Sequence, residues 1–254
     1  MTDERATRQP GEWLLVHALR RTWWHIDEGW FAIDRADRHR WLITMIAGFA
    51  ITLALTVVLV IATRAMERRG WLAWEAPFIK AFERESPLSF GWAIWIESPG
   101  NGVVLWPLVL TATAVAAWRR RTLLALTIFA GFVLLDLAVI AGWQLWPRER
   151  PQLIAAGMAS ASESFSAFPS GHVSQTVVVY GLLVALWLRR TRIHGERIFG
   201  CLVVLLLTVA VATGRLRLGA HWPTDIAAGA IIGACWLAFL LRALRYGSSP
   251  YIRK

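Results

Sequence analysis

The stretch WLITMIAGFAITLALTVVLVIAT, residues 41–63, decides the class of fold. It contains no charged residue, and it exceeds the length of about 20 residues that a helix needs to cross the hydrocarbon core of a bilayer. The chain of 254 residues is 56% hydrophobic, and its mean hydropathy is +0.47. This composition excludes an ordinary soluble domain and predicts an integral membrane protein.

Five further apolar runs lie outward from this stretch toward the carboxyl terminus. They cover residues 102–118, 123–146, 171–188, 198–213 and 226–244. We therefore predict an all-α fold, a polytopic membrane protein with a bundle of about six transmembrane helices. The chain has no internal repeat, so we expect one membrane domain, residues 41–246, between an N-terminal segment, 1–40, and a C-terminal tail, 247–254.

Two segments outside the apolar runs are also expected to be helical. Before the first run, apolar side chains recur at helical spacing: Val16, Leu19, Trp23, Ile26 and Trp30. This spacing predicts an amphipathic helix in the plane of the membrane interface, the alternative being a helix that binds a partner. The mixed-charge segment 71–101 contains three prolines and is expected to hold short helices that form a lid or a lipid entrance.

Clusters of arginine mark one side of the predicted bundle. They are Arg35, Arg38, Arg40, Arg119, Arg120, Arg121, Arg189, Arg190, Arg192, Arg242, Arg245 and Arg253, with Lys254. Because positive charge near the ends of spans is retained in the cytoplasm, both termini are expected on the cytoplasmic side of the membrane. Arg64, Arg68 and Arg69 lie on the other side, against this trend. The net charge of +10 fits anionic lipid head groups, and no nucleic-acid motif is present.

Residues suited to phosphate chemistry lie at the opposite ends of the runs. In FPSGH, residues 168–172, Ser170 is placed to cap the fourth span, and Gly171 lets another group approach the backbone. The N–H groups at a helix N-terminus form a site for anions. His172 can deliver a proton to a leaving oxygen there, although a capped helix with an interfacial histidine is the alternative.

The sequence GRLRLGAHWPTD, residues 214–225, adds a histidine and a carboxylate four residues apart. That interval lets Asp225 bind one ring nitrogen of His221, which leaves the other ring nitrogen able to attack phosphorus. Arg215 can hold the phosphoryl oxygens while charge develops. A purely structural ion pair is the alternative for Asp225.

A third motif, WPRERP at residues 146–151, places two arginines on the same predicted side. Arg150 can make a bidentate contact with phosphate, and Arg148 is a further candidate. Arginines at the end of a span also follow from membrane electrostatics, so the prediction depends on all three motifs converging on one face. The histidines and Asp225 are better assigned to catalysis, and no other ligand cluster is present, so no metal site is predicted.

These motifs resemble the signature of the type 2 phosphatidic acid phosphatase superfamily, the membrane lipid phosphate phosphatases. That signature contains a lysine, six residues and Arg-Pro, then Pro-Ser-Gly-His, then Ser-Arg, five residues, a histidine, three residues and an aspartate. The chain matches it at Arg150, Pro151, Pro169, Ser170, Gly171, His172, Arg215, His221 and Asp225. Trp143 stands in place of the lysine and Gly214 in place of the serine.

The resemblance implies a six-helix enzyme that forms a phosphohistidine at His221 and needs no metal or other cofactor. It also implies that Asp225 orients His221 and that His172 acts first as an acid and then activates water. The implied phosphate ligands are Arg150, Arg215, Ser170 and Gly171. Replacing the lysine removes a cation that stabilises phosphate charge, and our hypothesis is that Arg148 or Gln144 compensates.

From this resemblance we expect a phosphatase for a lipid phosphate or diphosphate, acting at the periplasmic face of a bacterial inner membrane. Undecaprenyl diphosphate is the leading substrate, and phosphatidylglycerol phosphate, phosphatidic acid and lipid A phosphate are alternatives. A lipid-linked phosphotransferase and a non-catalytic phospholipid-binding or transport protein are the other functions left open. The expected partners are the lipid phosphate substrate and the surrounding membrane lipids, with no nucleic acid.

Overall fold

The computed structural model describes residues 13–153, 166–189 and 191–246. Regular structure within these ranges is entirely helical, as predicted. The helices are α1 (Leu14–Ala32), α2 (Arg35–Arg68), α3 (Glu75–Glu85), α4 (Phe90–Glu97), α5 (Gly102–Trp118), α6 (Thr122–Leu145), α7 (Gly171–Leu188), α8 (His194–Arg217) and α9 (Pro223–Ala243). A single 3₁₀ turn, Ser98–Gly100, joins α4 to α5.

Six stretches of the described chain are long and apolar enough to cross a membrane, which confirms the prediction of about six spans. Five of them are the single helices α2, α6, α7, α8 and α9. The other runs from Phe90 to Trp118 and combines α4, the 3₁₀ turn and α5, so it is longer than the run expected at residues 102–118. The chain is a multi-pass membrane protein.

Helix α9 packs between α2 and α7 and also contacts α6. A Cβ atom at Gly229 would lie 2.4 Å from the carbonyl oxygen of Ser170, so this glycine lets the start of α7 lie directly against α9. The buried indole of Trp236 donates a hydrogen bond of 2.6 Å to the carbonyl of Gly131 and ties α9 to α6. These contacts fix the relative positions of the helices that carry the motifs.

The amphipathic helix expected before the first span is α1. Its residues Ile26 and Trp30 pack against the core of the bundle, whereas Val16, Leu19 and Trp23 are exposed. The helix contacts α5 and α6 and lies at the end of the bundle that carries the arginine clusters. Its place in the membrane interface stays a prediction. The residues 1–12, 247–254 and Arg190 lie outside the described ranges.

Asp136 lies in the middle of α6, where a carboxylate inside a membrane span needs a hydrogen-bond partner. Its carboxylate accepts a bond of 2.6 Å from the side-chain amide of Gln175 on α7. The bond links α6 to the helix that begins with the FPSGH motif.

The mixed-charge segment 71–101 contains α3, α4 and the 3₁₀ turn, and both α3 and α4 pack against α8. Two of its carboxylates are almost completely buried: the exposed fraction is 1% for Glu75 and 2% for Glu97. A buried carboxylate is costly unless cations or hydrogen-bond donors surround it. Both side chains point into the region where the three motifs meet.

Candidate active site

The three motifs meet at one end of the bundle, where α6 and α8 end and α7 and α9 begin. The backbone N–H of Ser170 donates to the carbonyl of Asp225 at 3.0 Å. The backbone N–H of Ala167 donates to the carbonyl of Arg148 at 2.9 Å. Each motif is therefore hydrogen-bonded to another, and the structure brings together the residues that the sequence singles out.

A glycine turn returns the chain from α8 to this end of the bundle. Gly219 has a φ of +61°, a conformation that glycine adopts without a steric penalty. Its N–H donates to the carbonyl of Leu216, and the next N–H, of Ala220, donates to the carbonyl of Arg215, both at 3.0 Å. The turn thus satisfies the last carbonyls of α8 and brings His221 back beside Arg215.

His221 is 2% exposed, and the carbonyl of Ala167 fixes its ring. The distance from Nδ1 to that carbonyl oxygen is 2.7 Å. Because a carbonyl can only accept, Nδ1 carries the proton, and the lone pair of the neutral ring lies on Nε2. This tautomer is the one in which Nε2 can act as a nucleophile.

Asp225 has a different set of contacts from the one expected. Its carboxylate lies 3.8 Å from Nδ1 of His221, which is too far for a hydrogen bond. It accepts instead from Arg148 Nη1 at 2.5 Å and from the backbone N–H of Trp222 at 2.7 Å. The backbone carbonyl of Ala167 occupies the position predicted for the carboxylate, and Asp225 instead joins Arg148 to the start of α9.

The prediction that Arg148 binds phosphate is not supported, because carboxylates of the protein surround its guanidinium. Nε donates to Glu67 at 3.2 Å and Nη2 to Glu75 at 2.6 Å, while Nη1 reaches both Asp225 and Thr224. The side chain is 4% exposed. Burial alone would lower the pKa of Arg148, but the adjacent Asp225 and Glu75 outweigh it and raise the pKa, so the group stays charged.

The second proposed compensator for the missing lysine, Gln144, is exposed at the end of α6. Trp143, which replaces that lysine, supports the FPSGH loop. Its indole N–H donates to the carbonyl of Pro169 at 3.0 Å, and its ring lies within contact distance of Gly171. Trp143 therefore holds the FPSGH loop in place through packing and one hydrogen bond.

Arg215 and Arg150 supply positive charge to the site. Nη1 of Arg215 donates to Glu97 at 2.6 Å, and its Nε is buried with no hydrogen-bond partner among the described residues. Burial and the nearby Arg215 lower the pKa of Arg150 to about 10, so Arg150 remains protonated at neutral pH. Both guanidinium groups are within electrostatic range of His221.

The FPSGH motif forms the start of α7, as predicted. Ser170 is the N-cap residue, but its side chain makes no capping bond, and in the described chain its buried Oγ has no hydrogen-bond partner. The expected cap is therefore absent, and the hydroxyl remains available beside the helix N-terminus. His172 lies in the first turn of α7, within electrostatic range of His221, Arg215 and Arg150.

Three groups that surround the site have no motif of their own. The carbonyl of Ala167 orients His221, and any residue can supply a carbonyl. Glu75 and Glu97 come from a segment with two other acidic residues, Glu83 and Glu85, and only their burial distinguishes them. Among the residues that the structure describes, no three His, Cys, Asp or Glu side chains are grouped to hold a metal ion.

Comparison with known proteins identifies one family. The sequence model of the PAP2 superfamily matches residues 121–248, which include all three motifs. A decaprenylphosphoryl-5-phosphoribose phosphatase of Mycobacterium tuberculosis is 28% identical over 135 residues, covering 53% of this chain and 69% of the relative. A putative undecaprenyl-diphosphatase of Escherichia coli K12 is 25% identical over 162 residues, covering 61% of this chain and 73% of the relative.

A solved structure shares the fold. It is the crystal structure of a transmembrane PAP2 type phosphatidylglycerolphosphate phosphatase from Bacillus subtilis. The TM-score is 0.63 at 20% sequence identity, and the match covers 82% of this chain and 99% of that one. The similarity therefore extends beyond the motifs to the arrangement of the helices.

Proposed function

The chain belongs to the PAP2 superfamily, and from this premise we propose that it hydrolyses a membrane lipid phosphate through a phosphohistidine at His221 without a metal ion. The observation that carries this proposal is the bond between His221 Nδ1 and the carbonyl of Ala167. It leaves the lone pair on Nε2 as the nucleophile close to Arg215 and Arg150, whose charges suit a phosphoryl group.

The proposed reaction has two displacements at phosphorus. Nε2 of His221 attacks the terminal phosphorus, the bond from that phosphorus to the oxygen that leaves with the lipid breaks, and the protonated ring of His172 gives its proton to that leaving oxygen. His172 then accepts a proton from water, the water oxygen attacks phosphorus, and the bond to Nε2 breaks to release inorganic phosphate. The phosphoryl oxygens are held by Arg150, Arg215, Ser170 and the N–H of Gly171.

We propose a polyprenyl-linked phosphate as the substrate class, with undecaprenyl diphosphate as the first candidate. Two of the relatives are named for decaprenyl and undecaprenyl lipids, which supports this class over glycerolipids. The arginine clusters lie at the end of the bundle opposite to the site, which supports a site at the periplasmic face of the inner membrane and both termini in the cytoplasm.

Phosphate release by the purified protein tests this function. The lipids are undecaprenyl diphosphate, phosphatidylglycerol phosphate, phosphatidic acid and lipid A phosphate, each with a chelator and without added metal. Release from undecaprenyl diphosphate at the highest kcat/KM is the expected result. A strict requirement for a divalent ion would contradict the mechanism. Label transferred from a donor lipid to an acceptor would indicate a phosphotransferase, and binding without turnover of any lipid would indicate a binding or transport protein.

The pH dependence of kcat/KM should reflect the surroundings of His221. Burial, together with the nearby Arg215 and Arg150, lowers the pKa of His221 well below its usual value of about 6.5. Since the neutral ring is the nucleophile, protonation of His221 should reduce activity only well below pH 6.5. The measurement is kcat/KM from pH 4 to 9, and Arg150→Gln should move the acidic limb upward. A wild-type limb from His221 at or above pH 6.5 would contradict the assignment.

Restoring the family lysine at Trp143 is expected to lower activity. Trp143→Lys removes the hydrogen bond to Pro169 and the ring beside Gly171, and the loss of one such bond is worth about 1.4 kcal/mol, or about tenfold in kcat/KM. Trp143→Phe keeps a ring without the N–H and should lose less. Steady-state kinetics on the best lipid substrate compares the three proteins. A gain of activity in Trp143→Lys would contradict this expectation and would mean that no other group compensates for the missing family lysine.

A further inference from the structure

Glu97 is the last residue of α4 and lies outside the three motifs and the region matched by the family model. Its side chain is 2% exposed, and Oε2 accepts a hydrogen bond of 2.6 Å from Nη1 of Arg215. Arg215 is itself 3% exposed. The pair therefore joins α4 to the end of α8 in a site with little access to water, where charges interact strongly.

Gly214 makes this pairing possible. A Cβ atom at this position would lie 2.8 Å from the carbonyl oxygen of Ala93 and 2.8 Å from Cβ of Glu97. Real Cβ atoms do not approach backbone oxygens that closely, so α4 can rest on α8 only because residue 214 has no side chain. The glycine that replaces the family serine is thus coupled to the presence of Glu97 beside Arg215.

Glu97 contacts only one nitrogen of the Arg215 guanidinium, Nη1. The Nε of Arg215 is buried and has no hydrogen-bond partner among the described residues, and the same is true of the Oγ of Ser170. Buried donors are normally satisfied, so a ligand oxygen is the expected partner for these two atoms. Glu97 then holds Arg215 by Nη1 while Nε remains for the phosphate.

We propose that Glu97 is a positioning residue of the phosphate site that also limits its affinity for phosphate. The carboxylate fixes the guanidinium of Arg215, which reduces the freedom that the arginine must lose when phosphate binds. Its negative charge repels the phosphate anion that shares Arg215, so inorganic phosphate leaves the site more readily after hydrolysis. The effect of Glu97 on turnover rests on the proposed function, whereas the binding of inorganic phosphate tests its effect on affinity separately.

The test compares wild-type protein with Glu97→Gln and with Glu85→Gln. Glutamine keeps the length and an acceptor for Arg215 Nη1 but removes the charge. Glu85 belongs to the same mixed-charge segment, residues 71–101, and its exposed side chain pairs with Arg84. Its variant is therefore the matched control. Titration calorimetry with inorganic phosphate should show Glu97→Gln binding about tenfold more tightly than wild type, and Glu85→Gln unchanged.

Steady-state kinetics separates this role from a merely structural one. Glu97→Gln should lower both KM and kcat, because substrate and product are both held more tightly, whereas loosening of the site would raise KM. A folded Glu97→Gln protein that binds inorganic phosphate no more tightly than wild type overturns the inference, as does the absence of phosphate binding by both proteins.

If the Glu97→Gln protein does not fold, the variant Glu97→Asp provides a second test. The shorter carboxylate withdraws from Arg215, so kcat should fall several-fold while the affinity for inorganic phosphate stays close to that of wild type. A kcat equal to that of wild type overturns the inference. If the wild-type protein hydrolyses no lipid but the Glu97→Gln shift in phosphate affinity is present, the proposed function fails and this inference remains.

Discussion

Replacing His221 with glutamine is expected to abolish phosphate release, with kcat falling by about 10⁴-fold or more. The variant lacks the only nitrogen proposed to form a bond to phosphorus, and loss of a nucleophile typically removes most of the rate enhancement. The glutamine amide can still donate to the carbonyl of Ala167, so the loop should keep its conformation. Phosphate release and trapping of labelled protein after rapid quenching measure the effect.

His194→Gln is the matched control for this experiment. His194 is exposed at the start of α8, at the opposite end of the bundle, so its replacement should leave kcat unchanged. The quenched wild-type protein should carry label that is stable to base and labile to acid, as expected of a phosphohistidine, and His221→Gln should carry none. Turnover or labelling that survives His221→Gln would eliminate His221 as the nucleophile.

Replacing Arg148 with methionine is expected to cost the most stability. It leaves the carboxylates of Glu75 and Asp225, which are 1% and 0% exposed, without their cation. Breaking a buried ion pair from one side typically costs about 3–5 kcal/mol. In a chain of this length that corresponds to a fall in Tm of about 10 °C. Thermal unfolding in detergent, monitored by circular dichroism, measures the change.

The same variant distinguishes the two roles considered for Arg148. If Arg148 bound phosphate, its loss would raise KM with little effect on Tm, and that result would contradict the contacts described above. A positioning role predicts a lower Tm and a lower kcat together, because Asp225 and the start of α9 lose their anchor. Arg84→Met is the control, since Arg84 is exposed on α3 and its pair with Glu85 should contribute nothing measurable.

The site residues divide into those that a pattern can reveal and those that it cannot. Ser170, His172, Arg215 and His221 were predictable because their types and spacing suit phosphate chemistry, and the structure brings them together. The contacts of Arg148 do not support the role predicted for it, because the sequence does not say which anion an arginine will meet. The carboxylate of Glu75, more than 70 residues away in the chain, accepts a hydrogen bond from the guanidinium of Arg148.

The two departures from the family signature show the same limit. In the sequence, Trp143 and Gly214 are simply a missing lysine and a missing serine. In the structure, Trp143 holds the carbonyl of Pro169, and Gly214 makes room for α4 and thus for Glu97. Each substitution has a consequence only through a neighbour that is remote in the chain.

The sequence alone determined the membrane fold, the number of spans and the three motifs, because apolar length, residue type and local spacing are properties of short segments. Tertiary structure alone decided that the carbonyl of Ala167 orients His221 and that carboxylates from α3 and α4 pair with Arg148 and Arg215. The reason is physical: a buried charge takes the nearest complementary group, and only the packing of α3 and α4 against α8 establishes which group is nearest.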